Sequence, residues 1–139
     1  MDAVDQAILH HLQANGRLSM RRLAELVHLT PPAVTERVHR LEERGIIAGY
    51  TVRVDRSKVA PVLTAYVEVL MKSNDHARFL QFVQAQGEVR ECHRISGDAC
   101  YLLKLEVPDP GALDRFLDQL LQHANYRLNL TISSVVKED

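Results

Sequence analysis

The first third of the chain has apolar residues at helical spacing, interrupted by short polar turns. One helix is predicted from about Val4 to Leu12, since Asn15-Gly16 stops its pattern. A second is predicted after Ser19, whose side-chain oxygen can accept from the free N–H groups of the first turn. The apolar positions of these two helices are Val4, Ile8, Leu9, Leu12, Leu23, Leu26 and Val27.

A third helix is predicted almost directly after the second. Thr30 can cap it, and Pro31 suits its first position, where a missing N–H costs nothing. Because Pro32 disfavours helical backbone in the residue before it, we expect the helix to begin one residue later. Gly45 should end it, since glycine readily adopts the left-handed conformation that often follows a helix. The apolar stripe of this helix consists of Val34, Val38 and Leu41.

Two short helices joined by a tight turn are typical of a helix-turn-helix, although an αα-hairpin in any small bundle has the same pattern. The outer face of the third helix favours nucleic acid. With Val34 facing inward, residues 31–40 present arginines and short polar groups near the start of the helix, where base edges are read. The Glu42-Glu43-Arg44 run is typical of a solvated surface. Residues 31–40 are therefore the candidate reading surface.

After the third helix the spacing changes from helical to alternating. Residues 46–54 are rich in β-branched side chains and predict a strand, whereas the polar residues 55–58 predict a linker. Strands and amphipathic helices then follow in the order βαββαβ, with the last strand near Leu128–Val136. This order is the ferredoxin-like plan, an antiparallel sheet with two helices on one face. The predicted α+β chain has a helix-turn-helix (winged-helix-like) domain over residues 1–52, a linker over 53–61 and a ferredoxin-like domain over 62–139.

A sheet covered by helices on one face leaves its other face open. Val62, Leu70, Leu102 and Val135 could lie on that face, and an exposed apolar sheet face usually marks an interface. Each predicted part is also so small that it buries little surface on its own, and neither has a metal site or disulfide to stabilise it. We therefore expect a homodimer formed through the C-terminal part, which would present two reading helices to DNA.

Composition and charge narrow the class of protein. The chain has 139 residues and a net charge of −1. The charge is uneven, because residues 1–60 carry +2 and the remainder −3, and eight of the nine N-terminal cations are arginine. Arginine suits bidentate recognition of phosphates and bases. Cys92 and Cys100 make no disulfide framework, the N-terminus is polar, and no apolar run is long enough to span a membrane, so a cytoplasmic protein is expected.

A series of positions in the first part carries a family resemblance. They are Asp5 to Leu12, Leu18-Ser19, Leu23-Ala24, Leu29-Thr30-Pro31, Val34, Arg37-Val38, Arg40-Leu41-Glu42, Gly45-Ile46-Ile47 and Tyr50. These positions, followed by a βαββαβ part, resemble the Lrp/AsnC family of bacterial and archaeal transcription regulators over residues 2–137. Residues 30–38 and Ala99-Cys100-Tyr101 are most similar to the LrpC-like branch, which is associated with DNA architecture as well as transcription.

The resemblance implies a transcriptional regulator without enzymatic activity that binds double-stranded DNA. It implies a homodimer held by the C-terminal sheets and assembling into tetramers or octamers, with a strand around Ile47–Val54 that helps to pair subunits. The third helix becomes the recognition helix, and its DNA-contacting residues are Pro32, Thr35, Glu36, Arg37, His39 and Arg40. The family commonly has glycine at the turn before this helix, where His28 can adopt the same left-handed conformation.

The resemblance also implies a small-molecule effector, commonly an amino acid, near the loop between the middle strands of the second part. The family pattern there is Gly-Asp-x-Asp, and this chain has Gly97, Asp98, Ala99 and Cys100. Cys100 removes a carboxylate that would pair with an ammonium group, which weakens the case for an amino acid. Gly97-Asp98 is also typical of a plain hairpin turn, which the residues favour somewhat over ligand contact, and both interpretations stay open.

Metal binding and catalysis are not expected. The seven histidines show no cluster at ligand spacing, and a Cys–His pair built from Cys92, His93 and Cys100 would lack an orienting group. Three functions remain. They are a DNA-binding regulator with an effector domain, an architectural protein that bends or wraps DNA with little sequence preference, and a small-molecule module that docks on an enzyme. Only the last predicts that Arg37→Ala and Arg40→Ala have no effect.

Overall fold

The computed structural model of the chain describes residues 1–136. They divide into two compact units, one spanning Met1–Val54 and one beginning at Asp55. The first unit contains α1 (Ala3–Ala14), α2 (Met20–Val27) and α3 (Pro31–Glu43). The second contains β1 (Leu63–Met71), α4 (His76–Gln84), β2 (Val89–Arg94), β3 (Tyr101–Val107), α5 (Pro110–Leu120) and β4 (Ala124–Leu130), preceded by a 3-10 turn at Arg56–Lys58.

Local sequence explains the ends of α1 and α2. Asp2 and Asp5 form a reciprocal capping box, in which each carboxylate accepts from the other residue's backbone N–H at 2.9 and 3.1 Å. Ser19 Oγ accepts from the Arg22 N–H at 3.1 Å, as the predicted N-cap of α2 should. His28 ends α2 with a φ of 56°, which confirms the left-handed conformation expected of it.

The start of α3 differs from the prediction by one residue. The helix begins at Pro31, so the expected delay caused by Pro32 is wrong. Pro31 stands at the first helical position, where its ring already sets a helical φ and no N–H is lost. Thr30 is the N-cap as predicted, although its side chain makes no capping hydrogen bond.

The end of α3 is closed by Gly45, as predicted. Gly45 has a φ of 69°, and its N–H donates to the Glu42 carbonyl at 2.9 Å. The Ile46 N–H donates to the Leu41 carbonyl at 2.9 Å, which completes a Schellman motif. The buried core that supports the helix consists of Ile8, Leu12, Leu23, Ala24, Val34, Val38 and Leu41. The predicted apolar stripe of α3 is therefore confirmed.

The second unit is one sheet with two helices. The strand order is β2-β3-β1-β4, and every neighbouring pair is antiparallel. Alternate residues of the central strands are buried against the helices, and the main ones are Ala65, Val67, Val69, Leu103, Leu105, Val107, Phe79, Val83, Leu113, Phe116, Leu117 and Leu120. The ferredoxin-like βαββαβ fold and the α+β class are thereby confirmed.

The open face of this sheet is more polar than expected. Leu70 and Leu102 do lie on it, but strand alternation and pairing surround them with Thr64, Tyr66, Glu68, Glu91, His93, Lys104, Glu106, Asn125 and Arg127. The placement of Val62 and Val135 there is wrong, because Val62 precedes β1 and Val135 lies beyond β4, 92% exposed. The face combines charged and apolar groups.

Two predicted strands are corrected by the structure. Residues 46–54 form no strand, and they leave Tyr50, Val52 and Val54 exposed by 56%, 76% and 58%. An extended segment is not stable alone, and this one finds no strand to pair with in its own unit. The last strand is Ala124–Leu130 rather than Leu128–Val136. Its pairing with β1 reaches Ala65, and the Thr131 N–H donates to the Thr64 carbonyl at 2.9 Å, next to the first residue of β1.

Candidate nucleic-acid interface

Five of the six residues predicted to contact DNA are exposed on one side of α3. The residues that line a shallow concavity there are Pro32, Thr35, Glu36 and His39, together with Pro31. Arg40 is exposed one residue further along the helix. Because the apolar stripe of α3 is buried in the core and backbone hydrogen bonds around Gly45 close its C-terminus, these side chains project from a supported helix.

The exposed residues of α3 have few competing contacts. Thr35 Oγ1 donates to the Pro31 carbonyl at 2.8 Å, one turn back, which leaves its lone pairs free to accept. His39 Nε2 lies 3.6 Å from Glu43 Oε1. Within residues 1–136, the Arg40 side chain makes no hydrogen bond or ion pair. A hydroxyl, an imidazole and an unpaired guanidinium therefore share one exposed side.

Arg37, the sixth predicted residue, is held in the first unit. Its Nη1 lies 2.7 Å from Asp2 Oδ2 and 3.0 Å from Asp5 Oδ1, and the side chain is only 24% exposed. The same two carboxylates cap α1, so the contact joins the start of α1 to the middle of α3. We call Asp2, Asp5 and Arg37 the anchor cluster. It orients α3 rather than leaving the Arg37 guanidinium free.

The anchor cluster perturbs the ionisation of its members. The hydrogen bond from Arg37, followed by the Asp5 backbone N–H, lowers the pKa of Asp2 from 3.8 to about 2. The pKa of Asp5 is also lowered, mainly by the Asp2 backbone N–H and then by Arg37. The pKa of Arg37 is raised by its hydrogen bonds to Asp2 and Asp5. All three groups are therefore charged near neutral pH.

The four residues predicted to contact an effector lie in the turn between β2 and β3. Gly97 has a φ of 104°, which favours glycine, and Asp98 is exposed. Ala99 is only 5% exposed, and the Cys100 N–H donates to the Val69 carbonyl at 2.8 Å. The second half of the loop thus packs onto the sheet, and Gly97 and Asp98 are the groups it presents to solvent. Its role in effector binding stays a prediction.

The cysteines and histidines near this loop do not assemble into a reactive site. Cys92 and His93 are neighbours in β2 and point to opposite faces of the sheet. Burial raises the pKa of the Cys92 thiol, while His93 Nε2 lies 2.9 Å from Glu91 Oε2. Among residues 1–136, no three side chains of metal-binding type are grouped closely enough to hold an ion.

Sequence reasoning missed three residues of this region: Asp2, Asp5 and Arg44. The Asp2-x-x-Asp5 spacing is a capping-box signal that the sequence does contain. Its link to Arg37 has no local signal, because 32 residues separate Asp5 from Arg37 and only the packing of α1 near α3 joins them. For Arg44, the adjoining Glu42 and Glu43 favour a solvated surface and give no signal of a contact.

Three helices with an arginine-bearing third helix, followed by a ferredoxin-like unit, define a helix-turn-helix regulator with a second, separate domain. Comparison with known proteins supplies the family. Residues 1–42 match the AsnC-type helix-turn-helix domain, and residues 64–139 match the Lrp/AsnC ligand binding domain. The chain belongs to the Lrp/AsnC family of transcriptional regulators.

Individual relatives agree with this assignment. The transcriptional regulator LrpB of Bacillus subtilis (strain 168) is 39% identical over 137 residues, covering 99% of this chain and 92% of LrpB. The structure of B. subtilis LrpC has a TM-score of 0.92 at 35% identity and covers 99% of both chains. A regulator from Neisseria meningitidis, solved in complex with L-methionine, has a TM-score of 0.91 at 30% identity, covering 99% of this chain and 93% of that one. The predicted family and its LrpC-like character are confirmed.

The family defines the function at the level of class. The chain is a DNA-binding transcriptional regulator, which is favoured over an architectural protein without an effector. Lrp/AsnC regulators bind DNA through the helix-turn-helix, oligomerise and bind amino-acid effectors. The relatives are transcriptional regulators rather than enzymes. Among the helices of residues 1–136, none is long and apolar enough to cross a bilayer.

Proposed function

We propose that this regulator reads its operator through the exposed side of α3. The observation that carries the proposal is the unpaired Arg40 guanidinium, which shares that side with the Thr35 hydroxyl and the His39 imidazole. Arginine can bind the O6 and N7 atoms of guanine together, and short polar groups bind neighbouring base edges. The contacting set is Pro32, Thr35, Glu36, His39 and Arg40. Arg37 holds α3 in place through the anchor cluster.

The regulator acts as a homodimer held through its second unit, and dimers assemble into tetramers or octamers. Two α3 helices then meet half-sites about one helical turn, roughly 10 base pairs, or a multiple apart. The exposed segment 46–54 supports pairing between copies, because it is β-rich and finds no strand partner in its own unit.

The domain division that serves this function has DNA binding in residues 1–52, a linker over 53–61, and effector sensing with oligomerisation in 62–139. The regulator works in the cytoplasm, performs no catalysis and needs no metal or cofactor. A small-molecule effector such as an amino acid binds near Gly97–Cys100, where Asp98 can pair with an ammonium group. The effector can shift the equilibrium between two assembly states only if it binds one of them more tightly, and the size of the shift is set by that difference in affinity.

Selection from a pool of randomised duplexes tests the reading of DNA. The expected result is an enriched motif with two-fold symmetry, which Arg40→Ala no longer selects as strongly. Failure of the wild-type protein to enrich any motif, at salt low enough for binding, would contradict the proposal. Calorimetric titration with L-methionine and L-leucine, repeated on Asp98→Ala, tests the effector site separately.

A further inference from the structure

A polar cavity of about 330 Å³ lies beside α3, on the flank next to its reading side. Its lining includes the anchor cluster and two further arginines, Arg40 of α3 and Arg44 at the C-cap of that helix. The Arg44 N–H donates to the Arg40 carbonyl at 3.0 Å, so the two residues stand one helical turn apart on the same flank.

The charges around this cavity leave two guanidinium groups without acidic partners. The carboxylates of Asp2 and Asp5 are already held by Arg37 and by each other's backbone N–H groups. Within residues 1–136, the Arg40 and Arg44 side chains make no hydrogen bond or ion pair. Three guanidinium groups thus face two neutralised carboxylates, and the cavity is net positive.

The nearest acids on α3 are also engaged elsewhere. Glu42 Oε1 accepts from the Tyr50 hydroxyl at 3.0 Å. Glu43 Oε1 lies 3.6 Å from His39 Nε2. The flank of Arg40 and Arg44 is therefore open to an external anion, although both arginines also lie where a helix dipole favours cations.

We propose that Arg44, one turn beyond the base-reading Arg40, binds a phosphate of the DNA backbone. The proposal rests on the proposed reading of DNA by α3 and deepens it, because it places a groove-edge contact one turn beyond the base-reading residues. Guanidinium groups match phosphate oxygens in a bidentate geometry, and the contact positions the helix without reading sequence. Arg37 is assigned no part in this contact, because Asp2 and Asp5 already hold its Nη1.

Equilibrium DNA binding across a salt series tests the site, using the full chain with one selected duplex and one scrambled duplex. Each phosphate contact contributes about −0.9 to the slope of log K against log salt. Arg44→Ala should reduce the slope by about one per chain and weaken binding to both duplexes by the same factor. Arg44→Lys should keep most of the slope, because it retains the charge.

Arg78→Ala is the matched control, since Arg78 is an exposed arginine on α4 in the other unit. It should leave the slope unchanged. An Arg44→Ala slope equal to that of wild type would overturn the phosphate site while leaving the reading of DNA intact. Absence of wild-type binding to either duplex would overturn both. The melting temperature of each variant separates a loss of helix stability from a loss of phosphate contact.

Discussion

The reading side of α3 and the Gly97–Cys100 loop are both candidate binding sites, but they are built differently. The side chains on α3 project from a helix with a closed C-terminus and a buried stripe. In the loop, Ala99 is buried and the Cys100 N–H is bound to Val69, so two of the four residues serve the sheet. The α3 surface presents several exposed polar side chains, whereas the loop presents one exposed carboxylate.

This difference shows what a short sequence pattern can specify. A helix places its exposed face by simple periodicity once its caps and apolar stripe are known. A loop between strands has no such period, and its neighbours are set by the sheet. Sites of the first kind should respond sharply to single substitutions, and sites of the second kind should not.

The largest expected effect is on the core that supports α3. Leu41→Ala removes a side chain that is 2% exposed and should cost about 2–5 kcal/mol of unfolding free energy. DNA binding should weaken with it. Denaturant unfolding measures the loss, and Leu130→Ala, at a leucine 52% exposed, is the control. Equal losses for the two variants would contradict the assigned core.

Arg40→Ala should have the next largest effect. It removes the unpaired guanidinium of α3 and should weaken binding to the selected duplex by about 1–3 kcal/mol, with dimerisation unchanged. Fluorescence anisotropy and sedimentation measure the two properties. Unchanged affinity at moderate salt would remove Arg40 from the reading surface.

Arg37→Gln tests whether Arg37 positions the reading helix or contacts DNA itself. It releases α1 from α3, so affinity should fall because the reading helix is less well oriented. The salt slope should stay at the wild-type value, since no phosphate contact is lost. A slope reduced as much as in Arg44→Ala would show that Arg37 contacts the backbone directly.

A smaller effect is expected on acidification. The pKa of Asp2 is lowered from 3.8 to about 2, so the folded state binds this proton less tightly than the unfolded state. Asp2 therefore stabilises the first unit above pH 3.8, and the contribution is lost as pH falls towards 2. Thermal melting of wild type should decline more steeply over that range than melting of Asp2→Asn. Parallel declines would contradict the anchor cluster.

The smallest effect is expected in the loop. Asp98→Ala should leave DNA affinity unchanged without an amino acid, because Asp98 is exposed and belongs to the second unit, whereas the proposed DNA-reading residues belong to the first. Fluorescence anisotropy with the selected duplex measures the DNA affinity of the variant and of wild type. A large loss of affinity would give the loop a role in assembly, and the contrast between the two sites would disappear.

The helices of the first unit were predictable because their signals are local. Ser19, Thr30 and Gly45 bound the predicted helices, and the order of elements in the second unit followed from alternation. The absence of a strand over residues 46–54 could not be predicted in this way, because a strand forms only where another strand pairs with it. The ion pairs of Asp2 and Asp5 with Arg37 also had no local sequence pattern to predict them, since they depend on how α1 and α3 pack.

Photo-crosslinking tests the central claim, that the exposed side of α3 and not the Gly97–Cys100 loop meets DNA. A benzophenone side chain is introduced in place of His39 in one sample and in place of Asp98 in another, and each is irradiated with the selected duplex. A strong protein–DNA crosslink is expected from position 39 and none from position 98. A crosslink from position 98 with none from position 39 would contradict it.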